Sequence, residues 1–440
     1  VTGAWVPGNR WDLAPEPTGP PSVTVVVTHY EQPAELALTL AALAGQTHPA
    51  HLLQVVVADD GSATPPVVPE RPAGVEVVTQ PDEGFRAARA RNLAVERARG
   101  DVLLFLDADT VPEPDYVAAM ARLPGVLPEA VVVARRRHAD LSGLVPGGDV
   151  AAEGRRHELP EPAWLREAYA ASRDLLRADE TSYRFVVGAV TGCSRRLFEE
   201  TGGFDASFTT YGGEDWEWAH RAWTHGAVLA HVPQAVAWHD GASREDRPGW
   251  GTDALGRERL LRETLAIASR VPVPGAAPRA LLGSAGDPLV TVADGIVGDA
   301  LVVCVDSLLD ALPRARVLLD RDRRRVLPDD PRVVEHSGGD VLAAPAARSA
   351  WRRLHVVRAV AGDRAAWTAG GDRLRGPDAT ERLDVVDASG DVALRWSSVR
   401  TERREARWAD LPRAVAGAVT ADLAPVADDV TVQARWGDWG

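Results

Sequence analysis

Val102-Leu-Leu-Phe-Leu106-Asp107-Ala108-Asp109 is the stretch that decides the fold. An unbroken apolar run of this kind suits a strand buried on both faces of a parallel sheet. The two acids that follow stand at its carboxyl end, where open α/β sheets bind their ligands. Upstream, Val23-Thr-Val-Val-Val27 is a β-branched run of the same type, Leu53-Gln-Val-Val-Val-Ala58 a second, and Val75 to Thr79 a short third. Between them, Leu36 to Ala44 reads as an apolar helical segment, and Arg86 to Arg99 as a helix closed by Gly100. Strands alternating with helices predict an α/β fold with a parallel sheet.

Downstream of Leu197 the chain turns to Gly- and Trp-rich segments, and the Pro-rich Val271-Pro-Val-Pro-Gly-Ala-Ala-Pro278 marks a boundary. The expected organisation is an irregular arm over 1–21, a main domain over 22–275 and a smaller α/β domain over 276–440. In the latter, Val290-Thr-Val, the helical Val303 to Leu312, Arg316-Val-Leu-Leu-Asp320 and Arg332-Val-Val-Glu335 repeat the order strand, helix, strand, strand. That order fits a degenerate copy of the first domain and equally fits any α/β segment. In a loose overlay Thr368-Ala-Gly-Gly-Asp372 falls on Asp107-Ala-Asp109, leaving one acid and implying an accessory domain.

The 440 residues, 45% hydrophobic and 25% charged, have the composition of a globular chain long enough for two or three domains. A net charge of −14 argues against a nucleic-acid footprint, although all 49 basic residues are arginine. Two cysteines, Cys193 and Cys304, build neither a disulfide framework nor a cysteine metal site and are expected as buried apolar residues. No apolar run reaches the ~18 residues of a membrane span, and residues 1–21 show no signal pattern. The cytoplasm is the expected compartment, with peripheral membrane contact left open.

Four clusters carry chemistry. Asp59-Asp60-Gly61-Ser62 follows the second strand and offers carboxylates to a base N–H or to ribose hydroxyls, or else is a polar turn. Asp107 and Asp109 can hold a hard cation, Mg²⁺ or Mn²⁺, against the phosphates of a nucleotide. In Tyr211-Gly212-Gly213-Glu214-Asp215-Trp216-Glu217-Trp218 two acids open a helix ended by Gly226, beside aromatics on which sugar faces can stack. His239, in Trp238-His239-Asp240, is a residue type that joins carboxylates on Mn²⁺-type ions. The runs Arg135-Arg-Arg137 and Arg323-Arg-Arg325 read as solvated surface.

Taken in order, these pieces resemble glycosyltransferase family 2, over about Ser22 to Gly241. The pieces are Thr28-His29-Tyr30-Glu31, Asp59-Asp60-Gly61-Ser62, Gly84-Phe85-Arg86 leading to Ala90-Arg91-Asn92, Asp107-Ala108-Asp109, Gly202-Gly203-Phe204-Asp205, Gly213-Glu214-Asp215 and Trp238-His239. Gly192 to His239 looks especially like galactosyl- and N-acetylgalactosaminyltransferase catalytic domains. The resemblance implies a GT-A type nucleotide-binding, mostly parallel sheet flanked by helices. It also implies inverting transfer from a nucleotide-diphospho-sugar, a UDP-sugar in the first instance, to a glycan or other hydroxyl acceptor. By resemblance Thr28, Glu31 and Asp60 line the nucleoside pocket, and Asp107 faces ribose or metal. Asp109 and His239 ligate Mn²⁺ or Mg²⁺, and Arg86 reaches phosphate. Asp215 is the general base, Glu214 holds the acceptor, and Trp216 and Trp218 bind it. The alternatives are a catalytically silent nucleotide-sugar or glycan binder and a sugar-nucleotide nucleotidyltransferase. The latter wants a Gly-rich loop after the first strand, which Thr28-His29-Tyr30-Glu31 does not supply.

Overall fold

The computed structural model describes residues 3–68, 74–243, 253–276, 286–414, 416–427 and 431–432. The last residues of the Pro-rich stretch, 277–278, lie outside them. The chain divides into two units, Val1–Ala178 with Ser182–Trp223 and Ala227–Ile267, and Asp179–Thr181 with Thr224–Gly226 and Ala268–Gly440. Among the described residues no helix is long and apolar enough to cross a membrane.

The first unit is built on strands β1 (Val23–His29), β2 (Leu53–Asp59), β3 (Glu76–Thr79), β4 (Val102–Asp107), β5 (Thr110–Pro112), β6 (Ala130–Ala139), β7 (Glu158–Leu159), β8 (Val190–Ser194) and β9 (Val228–Asp240). Their order is β3-β2-β1-β4-β8-β6-β9-β5, with β7 beside β6. The half read from the apolar runs, β3 to β4, is parallel. Beyond it β8 runs antiparallel to both β4 and β6, while β9 runs parallel to β6 and antiparallel to β5. With helices such as Pro33–Ala44, Ala87–Val95 and Tyr116–Val126 packed around it, this is an α/β sheet flanked by helices, as expected from the sequence.

Register positions the chemistry. Val23 and Val25 to Val27 are at most 1% exposed, so β1 is fixed as the central parallel strand. It aligns Thr28 with Ala58 on one side and with Asp107 on the other. The carboxyl ends of β1, β2 and β4 therefore finish side by side. Below them Phe105, Phe198, Phe204 and Trp218 form an aromatic core with ring centroids 5.1–5.7 Å apart. Of the arm expected over 1–21, residues 3–21 are irregular apart from a turn at Trp11–Leu13. It is fastened at Asn9, whose side chain donates to the Leu175 and Leu229 carbonyls at 2.6 and 2.8 Å and accepts from the Leu229 amide at 2.9 Å. Cys193 and Cys304 are buried free thiols, as read.

The second unit comprises β10 (Leu289–Val292), β11 (Arg316–Leu319), β12 (Val333–Glu335), β13 (Arg352–Val356), β14 (Val360–Ala361), β15 (Arg382–Val386), β16 (Val392–Ser398), β17 (Ala416–Thr420) and β18 (Ala424–Pro425). Its main sheet runs β12-β11-β10-β13-β16-β15-β17, with β14 paired to β18. Apart from β7, and with β9 answered by β17 and β18 together, this matches the first unit in order and direction. The strands β10 to β13 are parallel, β16 is antiparallel to β13 and β15, and β17 is parallel to β15. The antiparallel pair β14–β18 corresponds to β5–β9.

That equivalence corrects the loose overlay. The residues leading from β13 into β14 are Val357-Arg358-Ala359, and they, not Thr368 to Asp372, stand where Asp107-Ala108-Asp109 leads from β4 into β5. Pro425 faces Val360 as His239 faces Thr110. The His336 amide donates to Leu319 O as the Gln80 amide donates to Asp59 O, which makes Asp320 the counterpart of Asp60. Asp320 is taken up by Arg323, which also donates to the Val292 and Ala293 carbonyls at 3.1 and 3.0 Å and to Asp294 at 3.1 Å. Arg323 is thus a buried plug at the strand ends, with 13% of its side chain exposed, and not solvated surface.

Candidate active site

The strand ends of the first unit open into a cavity of about 590 Å³, lined among others by Thr28, Asp60, Asp107, Asp109, Glu214, Asp215, Trp216 and His239. Most of the residues singled out in the sequence meet here.

At the end of β2, Asp59 is fully buried and structural. It accepts from His29 Nδ1 at 2.9 Å and from Ser62 at 2.6 Å. The other ring nitrogen, Nε2, accepts from the Gln32 amide at 3.3 Å, and this assigns the His29 tautomer. Asp60 faces the cavity, its oxygens accepting from Gln80 at 2.5 Å and from the Arg86 amide at 2.8 Å. Burial raises its pKa. Gly61 makes the turn at φ +87, where a Cβ would sit 2.4 Å from the Asp82 amide nitrogen.

Two expected nucleoside or phosphate contacts lie elsewhere. Glu31 is exposed and absent from the cavity wall. Its carboxylate accepts from the Ala63 amide at 2.6 Å and its amide donates to Ser62, so it shapes a loop at the rim. Arg86 contributes its backbone to Asp60, while its guanidinium turns to the Phe85 carbonyl at 3.0 Å.

Arg91, quoted within the resemblance but given no role there, is the centre of the site. Only 4% exposed, it donates to Thr28 Oγ1 at 3.0 Å, Asp107 at 2.9 Å and Glu214 at 2.8 Å. One guanidinium thereby joins β1, β4 and the helix Glu214–His225. Neighbouring Asn92 clamps the Gly202–Asp205 loop by accepting from and donating to the Phe204 backbone. No local pattern marks Arg91, because its three partners, Thr28, Asp107 and Glu214, come from distant segments of the chain.

Asp109 and His239 approach to 3.3 Å, Oδ1 to Nδ1, and Gln32 reaches the other Asp109 oxygen at 3.5 Å. Burial opposes the Asp109 charge. The hydrogen bond and charge of His239, with Gln32, outweigh it and hold the carboxyl below its usual range. His239 is placed by β9, paired to Thr110 of β5, which follows Asp109 directly. Among the described residues no group of three or more His, Cys, Asp or Glu side chains converges on one point. The pair is a two-donor N/O set, with Asp107 already engaged by Arg91.

On the opposite wall, Gly212 and Gly213 adopt φ +93 and +97 and deliver Glu214 and Asp215 at the helix start. Asp215 accepts from the Gly188 and Trp216 amides, each at 2.8 Å. Burial and the Glu214 charge push its pKa up to about 7. Glu214 Oε1 takes Arg91, while Oε2 is buried without a hydrogen-bond partner at the cavity. Trp216 lines the cavity, edge-on to Trp164 and Tyr183. Trp164 and the Phe85–Tyr211 pair complete an aromatic wall, in which Trp164 and Phe85 were given no such role from the sequence.

Trp218 is a correction. It is 0% exposed, packs on Phe198 and Phe204 and donates to Thr201, so it supports the site from the core and touches no acceptor. Glu217 is likewise committed, pairing with Arg221 at 2.6 Å in the buried interior.

Residues 24–202 match the family model described as glycosyl transferase family 2, and residues 177–238 match the one described as N-terminal domain of galactosyltransferase. Hyaluronan synthase of Pasteurella multocida is 26% identical over 238 residues, 49% of this chain and 24% of that protein. Validoxylamine A glucosyltransferase of Streptomyces hygroscopicus subsp. jinggangensis is 32% identical over 251 residues, 53% of this chain and 56% of that one. A solved mannosyltransferase from Pyrobaculum calidifontis, in complex with GDP-Man and Mn²⁺, superposes with a TM-score of 0.38 at 20% identity, covering 58% of this chain and 68% of that one. The match to these two sequence relatives spans between about a quarter and rather more than half of their own lengths.

Proposed function

The chain carries a glycosyltransferase family 2 domain, and from that premise we propose that its first unit moves a sugar from a nucleotide-diphospho-sugar to a hydroxyl acceptor with inversion. The observation that carries the reading is one cavity with a carboxylate poised near neutrality on one wall and an N/O donor pair on the other.

The nucleoside lies against Thr28 and Asp60, whose carboxylate can accept a base N–H, and a UDP-sugar is the donor class. The acceptor sugar stacks on Trp216 and the neighbouring aromatic wall, with a hydroxyl on the unpaired oxygen of Glu214. In the single displacement the acceptor oxygen bonds to the anomeric carbon as the bond to the diphosphate oxygen breaks. The hydroxyl proton goes to Asp215 and the electron pair of the broken bond goes to the diphosphate. Only a carboxylate already free of its proton can do this, and a pKa near 7 suits the task.

The donor set Asp109 and His239, with the second oxygen of Asp107 in reserve, fits a divalent cation of the Mn²⁺ or Mg²⁺ type completed by phosphate and water oxygens. When bound, such an ion supplies positive charge to the departing diphosphate.

Calorimetric titration of UDP with and without Mn²⁺ tests this. Wild type should bind far more tightly with the ion, and Asp109→Ala and His239→Ala should each lose more than about tenfold of that gain. Binding equally tight in EDTA for all three proteins would remove the metal from the account.

A further inference from the structure

Three consecutive arginines on β6 have different fates. Arg135 donates twice to Glu161, at 2.8 and 3.2 Å. Arg137 pairs with Glu158 and lies over the Trp238 ring, 4.3 Å from its centroid. Successive strand residues face opposite ways, so Arg136 points to the other side, where it lines the cavity. Among the described residues no carboxylate pairs with Arg136, and its Nε is buried without a hydrogen-bond partner. A half-buried guanidinium in that state is costly unless a ligand satisfies it.

What it faces is set by register. His138, two residues on and on the same face, packs its ring edge-on against His239 at 5.0 Å. Parallel pairing sets Arg136 beside Ala237 and His138 beside His239. Arg136 therefore sits one side-chain step, about 7 Å along the strand, from the Asp109–His239 pair. Its positive charge is felt at both Asp107 and Asp109. Those two carboxylates do not neutralise it by contact, so the cavity keeps a fixed cation beside its two-donor set.

We propose that Arg136 is the diphosphate grip of this cavity, donating its free N–H groups to phosphate oxygens of the donor. The assignment rests on the glycosyltransferase reading and adds a residue to it. A guanidinium matches two phosphate oxygens at once, and it stays charged while the sugar leaves. As the anomeric C–O bond breaks, the electron pair passes to the diphosphate oxygen, and Arg136 meets that added charge without giving up a proton. The solvated-surface reading of this run thus fits Arg135, whose side chain is 41% exposed, and not Arg136 or the Trp238-stacked Arg137.

The test is titration of UDP and GDP, each beside its nucleoside, in Mn²⁺, for wild type, Arg136→Gln, Arg136→Lys and Arg135→Gln, with thermal melts checking the fold. Losing charge-assisted bonds should weaken the diphosphate by about tenfold to a hundredfold in Arg136→Gln. The nucleoside should bind as to wild type. Arg136→Lys should recover part of the loss, and Arg135→Gln should behave as wild type. Equal affinity of wild type and Arg136→Gln for the diphosphate, or an equal loss for the nucleoside, overturns the proposal while leaving the glycosyltransferase reading intact. A wild-type chain that binds neither diphosphate overturns both.

Discussion

Arg91 binds Thr28, Asp107 and Glu214 at once, with Phe204 under its guanidinium at 5.5 Å. Arg91→Met would leave the buried Glu214 carboxylate, and Asp107 beside it, without their ion-pair partner. Breaking a buried pair in this way costs about 3–5 kcal/mol, to be read as a lowered urea midpoint. A midpoint like that of wild type would show that the two acids hold their places unaided. Asp215 gives a kinetic prediction. Asp215→Asn keeps the volume and one backbone hydrogen bond but cannot take a proton, so transfer should fall by about 10²–10⁴ with nucleotide affinity little changed. With its pKa near 7 the wild-type carboxyl is protonated below that pH and idle. The rate in wild type should therefore rise with pH through about 7 and then level, and the same pH scan on Asp215→Asn should lack this limb. These roles were only partly legible. Aspartates at strand ends announce themselves, whereas Arg91 is recognisable only once three distant segments converge on it.

Elements follow the same division. β1, β2 and β4 were readable because burial on both faces leaves an unbroken apolar run. The strands β6, β8 and β9 were not read as strands. Polar residues interrupt them, as the three arginines do on β6 or Thr191 and Ser194 on β8, and their pairing depends on partners distant in the chain. The helix start at Glu214 was readable from the double glycine, but not which tryptophan would face the cavity. Two residues turn a helix by roughly 200°, which sends Trp216 to the cavity and Trp218 to the core. Gly213 tests this element. Its φ of +97 and the 2.8 Å a Cβ would leave to Ile267 make Gly213→Ala strained. The change should cost more than about 1 kcal/mol and lower transfer by displacing Glu214 and Asp215. Wild-type stability and turnover would mean that the turn tolerates a side chain.

At the scale of the whole chain, one strand topology occurs twice and keeps its two-aspartate motif once. A repeat was suspected from the order of the first elements of the second unit. Its strand equivalences depend on pairings such as β15 with β17 that no local pattern discloses. In the second unit Val357-Arg358-Ala359 replaces the two-aspartate motif, Pro425 stands in place of His239, and Arg323 occupies the counterpart of Asp60. The full chain should accordingly bind one nucleoside diphosphate, read as a calorimetric stoichiometry of about one per chain. A stoichiometry of two would mean that Arg323 yields its place to a ligand. The central claim, a sugar-transferring cavity in the first unit, is tested most directly by the release of sugar from a panel of nucleotide-diphospho-sugars, with Mn²⁺ or EDTA, by wild type and Asp215→Asn. The account predicts Mn²⁺-dependent turnover of at least one donor, UDP-sugars first, reduced by about a hundredfold or more in the variant. No turnover of any donor by wild type, or equal turnover by the two proteins, would contradict it.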